Sequence, residues 1–319
     1  MPDWGPAIDA LGGAEEICIA CHFNPDGDAI GSLLGASLGL RSLGKRTFPS
    51  FGNSPAKIPF GYDFLPGADS LLQASELPAG GLLLALDCGA IGRLGALEPL
   101  AAASARTINV DHHPGNDNFG KLNIVATDAS STAEIVTRML QALGVKLDVE
   151  MATCLYTGIN TDTGSFQYSN SSPDTLRLAA DLLALGVDAP FISQQVHESS
   201  PFGFLKLVGR VLDRAVLHEE QRFIYSYYKR KDLIETGVAP DETDKLLDMI
   251  RSTRAADVAG LFKEQSDGRY RVSLRSKGPV SVGAIARKRG GGGHELAAGF
   301  TANDVEKTVL AMLPELGAS

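Results

Sequence analysis

The sequence predicts an α/β fold: an N-terminal, mostly parallel sheet flanked by helices, followed by a smaller α+β domain. Three observations point there. Up to about residue 190, short apolar runs alternate with helical patterns, the signature of a parallel sheet covered on both faces. Beyond that point the texture shifts to strand-like runs around a turn signal, with helical stretches after them. Third, Asp and His residues gather directly after the apolar runs, at the strand ends where open α/β sheets place their functional groups.

The first run, ICIAC at 17–21, reads as a buried strand leading into a helix from about Ala29 to Leu43. Cys18 and Cys21 form a CxxC there, a spacing that raises zinc or redox chemistry. In a strand, however, positions three apart face opposite ways, and no second CxxC exists. These cysteines are therefore expected to fill the core. LLLALD at 82–87 and TINVD at 107–111 are further buried strands. STAEIVTRMLQALG at 131–144 is an amphipathic helix opened by a capping box of Ser131 and Glu134. DVEMATCLYTGINTDTG and SPDTLRLAADLLALG continue the helical series. The first domain is expected to span residues 1–190, with a helical connector at 191–215. In the second domain, 216–319, alternation makes RFIYSYYK a core strand before it is a base-stacking platform. DVAGLFKEQSDGRYRVSLRSKG splits into two strand-like halves around Asp267-Gly268, a hairpin signal. SVGAIARKR and DVEKTVLAML read as helices on either side of GGGGHELAAG.

Composition narrows the function. With 319 residues, 44% hydrophobic and 21% charged, the chain is long enough for two domains with cores of their own. Its first residues, MPDWGPAIDALGGAEE, place no basic segment before an apolar run, and the longest apolar run, LLLAL, is far too short for a bilayer. A cytoplasmic protein with no membrane partner is the expectation. A net charge of −9 disfavours a protein that coats long nucleic acid. The charge is unevenly spread: residues 251–290 hold ten Lys or Arg against three acids, a local +7 that leaves −16 on the remainder. An acidic body with one basic block suggests a small anionic ligand held locally.

The ligand-type residues after the strands are His22, Asp26 and Asp28, then Asp87, then Asp111, His112 and His113; Asp162 ends a helical run. Five carboxylates and three histidines in one cleft would repel and desolvate badly as bare charges. Divalent cations resolve the conflict, and mixed imidazole and carboxylate ligation suits Mn²⁺ better than Ca²⁺ or a Cys-rich zinc site. In NPDGD, one flexible residue lets Asp26 and Asp28 each reach a different metal of a pair about 3.5–4 Å apart. A calcium loop is the rival, but it lacks the bidentate Glu such a loop ends on. In the second domain, GGGGH at 290–294 is no P-loop, because no Lys-Ser/Thr follows. It reads as a flexible loop or as a main-chain nest for phosphate, with His294 adding a donor. Nearby SLRSKG offers Arg275 for bidentate phosphate contact, with Ser276 beside it.

HFNPDGDAIGS, DCGAIGRLG, VDHHPGNDNFG and GINTDTGSF resemble the four motifs of the DHH phosphoesterase family. DVAGLFKE, VSLRSKG and GGGGHELAAGF resemble its DHHA1 C-terminal domain. The resemblance runs over nearly the whole chain, in order, and is greatest to the bacterial nanoRNase and pAp phosphatase subgroup. It implies His22, Asp26 and Asp87 on one metal. Asp28, Asp87, His112 and Asp162 would hold the other, with Asp87 bridging and His113 facing the substrate phosphate. Asp111 would orient the neighbouring histidines. Arg275, Ser276, Gly291, Gly292, Gly293 and His294 would grip substrate. The implied cofactor is a pair of divalent ions, Mn²⁺ first and Mg²⁺ or Co²⁺ as alternatives. The implied activity is hydrolysis of short 5′-phosphorylated oligoribonucleotides, of two to five nucleotides, to mononucleotides, and of 3′-phosphoadenosine 5′-phosphate (pAp) to AMP. The partners are then short single-stranded RNA, pAp or a dinucleotide, with no duplex nucleic acid, and a homodimer is compatible with the family. The alternative reading is a phosphodiesterase for cyclic di-AMP or linear dinucleotides in second-messenger turnover.

Overall fold

The computed structural model describes residues 4–243, 245–293 and 295–317, which separate into two compact units, Met1–Ser199 and Ser200–Ser319. In the first unit, α1 (Gly5–Gly13) precedes β1 (Glu16–Cys21), α2 (Gly27–Ser42), β2 (Arg46–Phe51) and β3 (Leu82–Leu86). There follow α3 (Glu98–Ala103), β4 (Arg106–Asp111), β5 (Leu122–Val125) and α4 (Thr132–Ala142). Helices α5 (Val149–Asp162), α6 (Pro173–Ala184) and α7 (Ala189–His197) complete it.

The strands lie in the order β2-β1-β3-β4-β5 and every pairing is parallel. The chain winds one way from β1 to β2 and the other way through β3, β4 and β5. The switch point therefore falls between β1 and β3, where a crevice opens beyond their carboxyl ends. Alternation along the strands serves two layers. Ile17, Ile19, Cys21, Leu84 and Leu86 join the core under α2, α4 and α5, whereas Cys18, Ala20, Leu83 and Ala85 join a cluster on the opposite face. Cys18 and Cys21 are thus buried on opposite faces, and all four cysteines are free thiols.

Two strands of the first unit lie outside the sequence reading. Arg46–Phe51 carries Pro49, which cannot donate to a ladder, and it forms the edge strand β2, where that loss is tolerated. The other edge, β5, is a four-residue strand with one fully buried side chain, too short for a periodic signal. Helix α2 starts at Gly27, two residues before the sequence reading, because Asp26 is its N-cap and accepts a 3.1 Å hydrogen bond from the Ala29 N–H.

The stretch read as one connector is two helices, α7 and α8 (Phe202–Asp213), broken at residues 198–201, where the first unit gives way to the second. After α8 come β6 (Val216–His218), β7 (Phe223–Tyr228), α9 (Arg230–Thr236) and α10 (Lys245–Arg251). Then follow β8 (Val258–Glu264), β9 (Tyr270–Ser276), α11 (Val282–Arg287), β10 (Gly292–Gly293), β11 (Ala297–Ala302) and α12 (Val305–Leu316). Its sheet runs β10-β11-β9-β8-β7-β6, antiparallel except for β7 beside β8. Phe223, Phe262, Val272 and Phe300 pack under α11 and α12, and Ala259, Leu261 and Tyr228 pack against α8 and α10. The aromatic run of β7 is therefore core. No helix among the described residues is long and apolar enough to cross a membrane.

Candidate metal centre

The first unit gathers its acidic and imidazole side chains at the switch point. β1 ends at Cys21, so His22 follows it directly; Asp26 and Asp28 sit on either side of the first residue of α2. Asp87 follows β3 in a left-handed conformation, φ 56°, which Asp adopts more readily than most residues and which turns its carboxylate off the strand line. Asp111 is the last residue of β4, with His112 and His113 behind it, and Asp162 is the last residue of α5.

Three groups result, the ligand atoms of each lying within 4.8 Å of one another: His22, Asp26 and Asp87; Asp28, His112 and Asp162; and Asp87, His112 and His113. His22 Nε2 is 3.5 Å from Asp87 Oδ2 and 3.9 Å from Asp26 Oδ1. His112 Nε2 is 3.6 Å from Asp162 Oδ2, 3.8 Å from Asp87 Oδ1 and 3.9 Å from Asp28 Oδ2. Asp87 thus lies between the two imidazoles and contributes one oxygen toward each.

The site suits cations. Asp28 and Asp87 are each only 2% exposed, yet both face further carboxylates. Burial, and after it the charges of Asp87, Asp162 and Asp26, push the Asp28 carboxyl well above the ordinary range. Burial, with Asp26 and Asp87, pushes Asp162 up to about 8. Asp87 goes the other way: burial pushes it up, but its hydrogen bond to His22 and the charges of His22, His113 and His112 hold it below the usual range. Burial lowers His112, whose Nε2 is buried without a hydrogen-bond partner; the ring's remaining bond goes to the Ala129 carbonyl. A buried imidazole lone pair facing three carboxylates, with the other ring nitrogen held by a carbonyl, is the arrangement of a metal ligand. His22 also turns its Nε2 toward Asp87, while its Nδ1 lies 2.9 Å from the Phe23 carbonyl and 3.0 Å from Arg93 Nη2.

Asp111 points elsewhere. It is fully buried; Oδ1 accepts from His113 Nδ1 at 2.7 Å and Oδ2 from Asn116 Nδ2 at 2.6 Å. Burial lowers the His113 pKa, but the Asp111 hydrogen bond and the charges of Asp87, Asp111 and Asp162 outweigh it, raising it to about 9.

Several side chains unmarked in the sequence support this centre. Thr132 Oγ1 donates to Asp87 Oδ1 at 2.9 Å, while the Thr132 and Ala133 N–H groups donate to Asp28 at 2.7 and 2.8 Å. Asn116 braces Asp111, and its place three residues after DHH was the available signal. Half of the expected capping box is present: Ser131 Oγ accepts from the Glu134 N–H, but the Glu134 carboxylate returns to Ser130, one residue earlier, and to Thr175.

The second unit holds the remaining expected residues. Arg275 lies opposite Ala297 and Gly293 opposite Ala298, so the basic strand end and the glycine run flank the same end of β11. Ser276 is buried. The Gly290 and Gly291 N–H groups donate to the Arg287 and Ala286 carbonyls at the end of α11. A Cβ on Gly291 would come within 2.2 Å of the Gly299 carbonyl oxygen, so close backbone approach demands glycine there. His294 lies outside the described residues. Within the basic block, Arg269, Arg287, Lys288 and Arg289 pair with carboxylates, which dilutes the local excess of charge.

Residues 16–159 match the DHH family, N-terminal domain, and residues 220–314 match the DHHA1 domain. The chain is 36% identical to the bifunctional oligoribonuclease and PAP phosphatase NrnA of Thermus thermophilus, over 89% of this chain and 83% of that one. It is 30% identical to the protein of the same name in Bacillus subtilis, over 89% and 88% of the two chains. Among solved structures, an exopolyphosphatase-related protein from Bacteroides fragilis superposes with a TM-score of 0.89 at 26% identity, covering 98% of this chain and 95% of that one. With its motifs, fold and relatives in agreement, the chain belongs to the DHH family and carries a DHHA1 domain behind its N-terminal DHH domain.

Proposed function

We propose that this chain is a two-metal phosphoesterase that hydrolyses short 5′-phosphorylated oligoribonucleotides to mononucleotides and pAp to AMP. The observation that carries the reading is the pair of ligand clusters on either side of the buried Asp87, whose Oδ2 faces His22 and whose Oδ1 faces His112, the ring that groups with Asp28 and Asp162. Relatives named for these two activities match over most of the chain and support the choice of substrate. His22, Asp26 and Asp87 hold one ion and Asp28, Asp87, His112 and Asp162 the other; Mn²⁺ fits this donor set best, with Mg²⁺ or Co²⁺ as substitutes. When bound, such a pair neutralises phosphoryl oxygens and activates water for in-line attack.

The protein's own groups do the rest. Asp111 holds His113 by Nδ1 and raises the pKa of the imidazole, leaving it suited to give a hydrogen bond or a proton to the departing oxygen. Arg275, Ser276, Gly292 and Gly293 supply a phosphate grip in the second domain, residues 216–319, a role supported by the convergence of Arg275, Gly292 and Gly293 at one end of β11; Gly291, whose N–H is taken by the Ala286 carbonyl, shapes the loop.

A product assay in Mn²⁺ tests the reading, with pAp, a 5′-phosphorylated RNA dinucleotide, a long RNA, cyclic di-AMP and pyrophosphate at equal concentration. AMP from pAp and mononucleotides from the dinucleotide, with the long RNA slow, are the expected products. Cyclic di-AMP as the best substrate would assign the protein to second-messenger turnover instead. Full hydrolysis by Asp87→Ala would remove the shared ligand from the mechanism.

A further inference from the structure

The ligands of one ion have a feature in common that His22 and Asp26, on the other, lack. The turn that enters α4, together with that helix's first two residues (129–133), reaches all of the former, Asp162 by way of Asn170. The Ala129 carbonyl holds the His112 ring. The Ser130 carbonyl accepts from Asn170 Nδ2 at 2.8 Å, and the same nitrogen lies 3.2 Å from the Asp162 carbonyl, tying the end of α5 to the turn. The Thr132 and Ala133 N–H groups take one oxygen each of Asp28. Thr132 Oγ1 takes Asp87 Oδ1, the oxygen that faces His112. No hydrogen bond from this turn to His22 or Asp26 occurs among the described residues.

The turn is itself locked. Glu134 accepts from the Ser130 N–H at 3.1 Å, the Ser130 hydroxyl at 2.7 Å, the Thr175 hydroxyl at 3.0 Å and Arg138 at 2.8 Å. Ser130, Ser131 and Thr132 are fully buried. Four ligand side chains arrive from α2, β3, β4 and α5, elements far apart in sequence, and one short segment sets their spacing.

We propose that the 129–133 turn is a positioning device for one ion of the pair, the one held by Asp28, His112, Asp162 and the shared Asp87. Thr132 is its central positioning residue, joining Asp28 to Asp87 through two different atoms. The inference rests on the two-metal reading above. It adds that the two ions differ: one has every ligand tied to the turn, and the other, held by His22, Asp26 and Asp87, meets it only through Asp87, whose Oδ2 faces His22 and is not the oxygen Thr132 holds. Loss of a hydrogen bond behind a metal ligand weakens binding about 10- to 100-fold.

The test is a Mn²⁺ titration of metal-stripped protein, followed by calorimetry and by the paramagnetic signal of free Mn²⁺, with no substrate present. The variants are Thr132→Val, Thr132→Ser and Asn170→Leu, each also melted in EDTA. Thr132→Val keeps the N–H donor to Asp28 and removes only the hydroxyl donor to Asp87. The expected result is that one of two binding steps weakens by about tenfold or more in Thr132→Val and in Asn170→Leu while the other stays unchanged. Thr132→Ser should restore it. Equal weakening of both steps, or of neither, in folded variants would overturn the proposal. Should Thr132→Val fail to fold, Asn170→Leu decides alone, since its contacts are to carbonyls at the edge of the turn. Wild-type protein that binds no Mn²⁺ at all would refute the two-metal reading as well, which separates the two failures.

Discussion

The clustered carboxylates carry a cost that can be measured in Asp162. Its carboxyl is pushed from 3.8 up to about 8 by burial and by Asp26 and Asp87. In the unfolded chain it returns to an ordinary value near 3.9. A raised folded pKa for an acid means that the folded state holds the proton more tightly, so stability falls as pH rises from about 4 to about 8. At pH 7 the gap between pH and the unfolded pKa is about three units, an upper bound of about 4 kcal/mol. The Asp162 side chain is 29% exposed, and solvent screening brings the working figure to about 2 kcal/mol. Asp162→Asn removes the titration and should therefore stabilise metal-stripped protein by about that amount at pH 7, and by much less at pH 4.5. In excess Mn²⁺ the order should reverse, because the wild type gains binding energy that the variant loses. Urea unfolding in EDTA and in Mn²⁺, at both pH values, measures all four quantities. An Asp162→Asn protein less stable than wild type in EDTA at pH 7 would refute the reasoning, since it would mean that the carboxylate is favourably paired without a cation.

Two further perturbations bear on the same site. Asp111→Asn removes the hydrogen-bonding charge that lifts His113 to about 9, so the His113 pKa should fall toward 6.5 and the alkaline limb of the rate profile should move to lower pH. An unmoved limb in a folded variant would take His113 out of the proton-donor role. Gly27→Ala places a Cβ 2.4 Å from Thr161 Oγ1, beside Asp28 on one helix and Asp162 on the other. The overpacking should cost about 1–3 kcal/mol in thermal melts and weaken Mn²⁺ binding with it. An unchanged melting temperature would show that α2 and α5 separate more easily than their packing implies.

Much of this was legible in the chain. ICIAC, LLLALD and TINVD are apolar enough to be strands on period alone, and the polar residues behind them had to end at the same edge of a parallel sheet. Local chemistry also marked Ser131 as a cap, a contact that needs only a donor three residues on. What the chain concealed is of another kind. β2 holds a proline and β5 is too short for periodicity, and each is a strand because a neighbour offers it a ladder. Thr132 and Asn170 read as ordinary helix-start and loop residues.

The line between the two follows sequence distance. Residue types, their order and their spacing determined by themselves that carboxylates and imidazoles would meet and that cations would be needed to reconcile them. Which oxygen faces which ring was decided only by tertiary structure. Asp28 reaches α4 across more than a hundred residues, Thr132 reaches Asp87 across forty-five, and Asn170 reaches Ser130 across forty. Hydrogen bonds act over about 3 Å and have no memory of sequence separation, so no periodicity or local propensity can announce them.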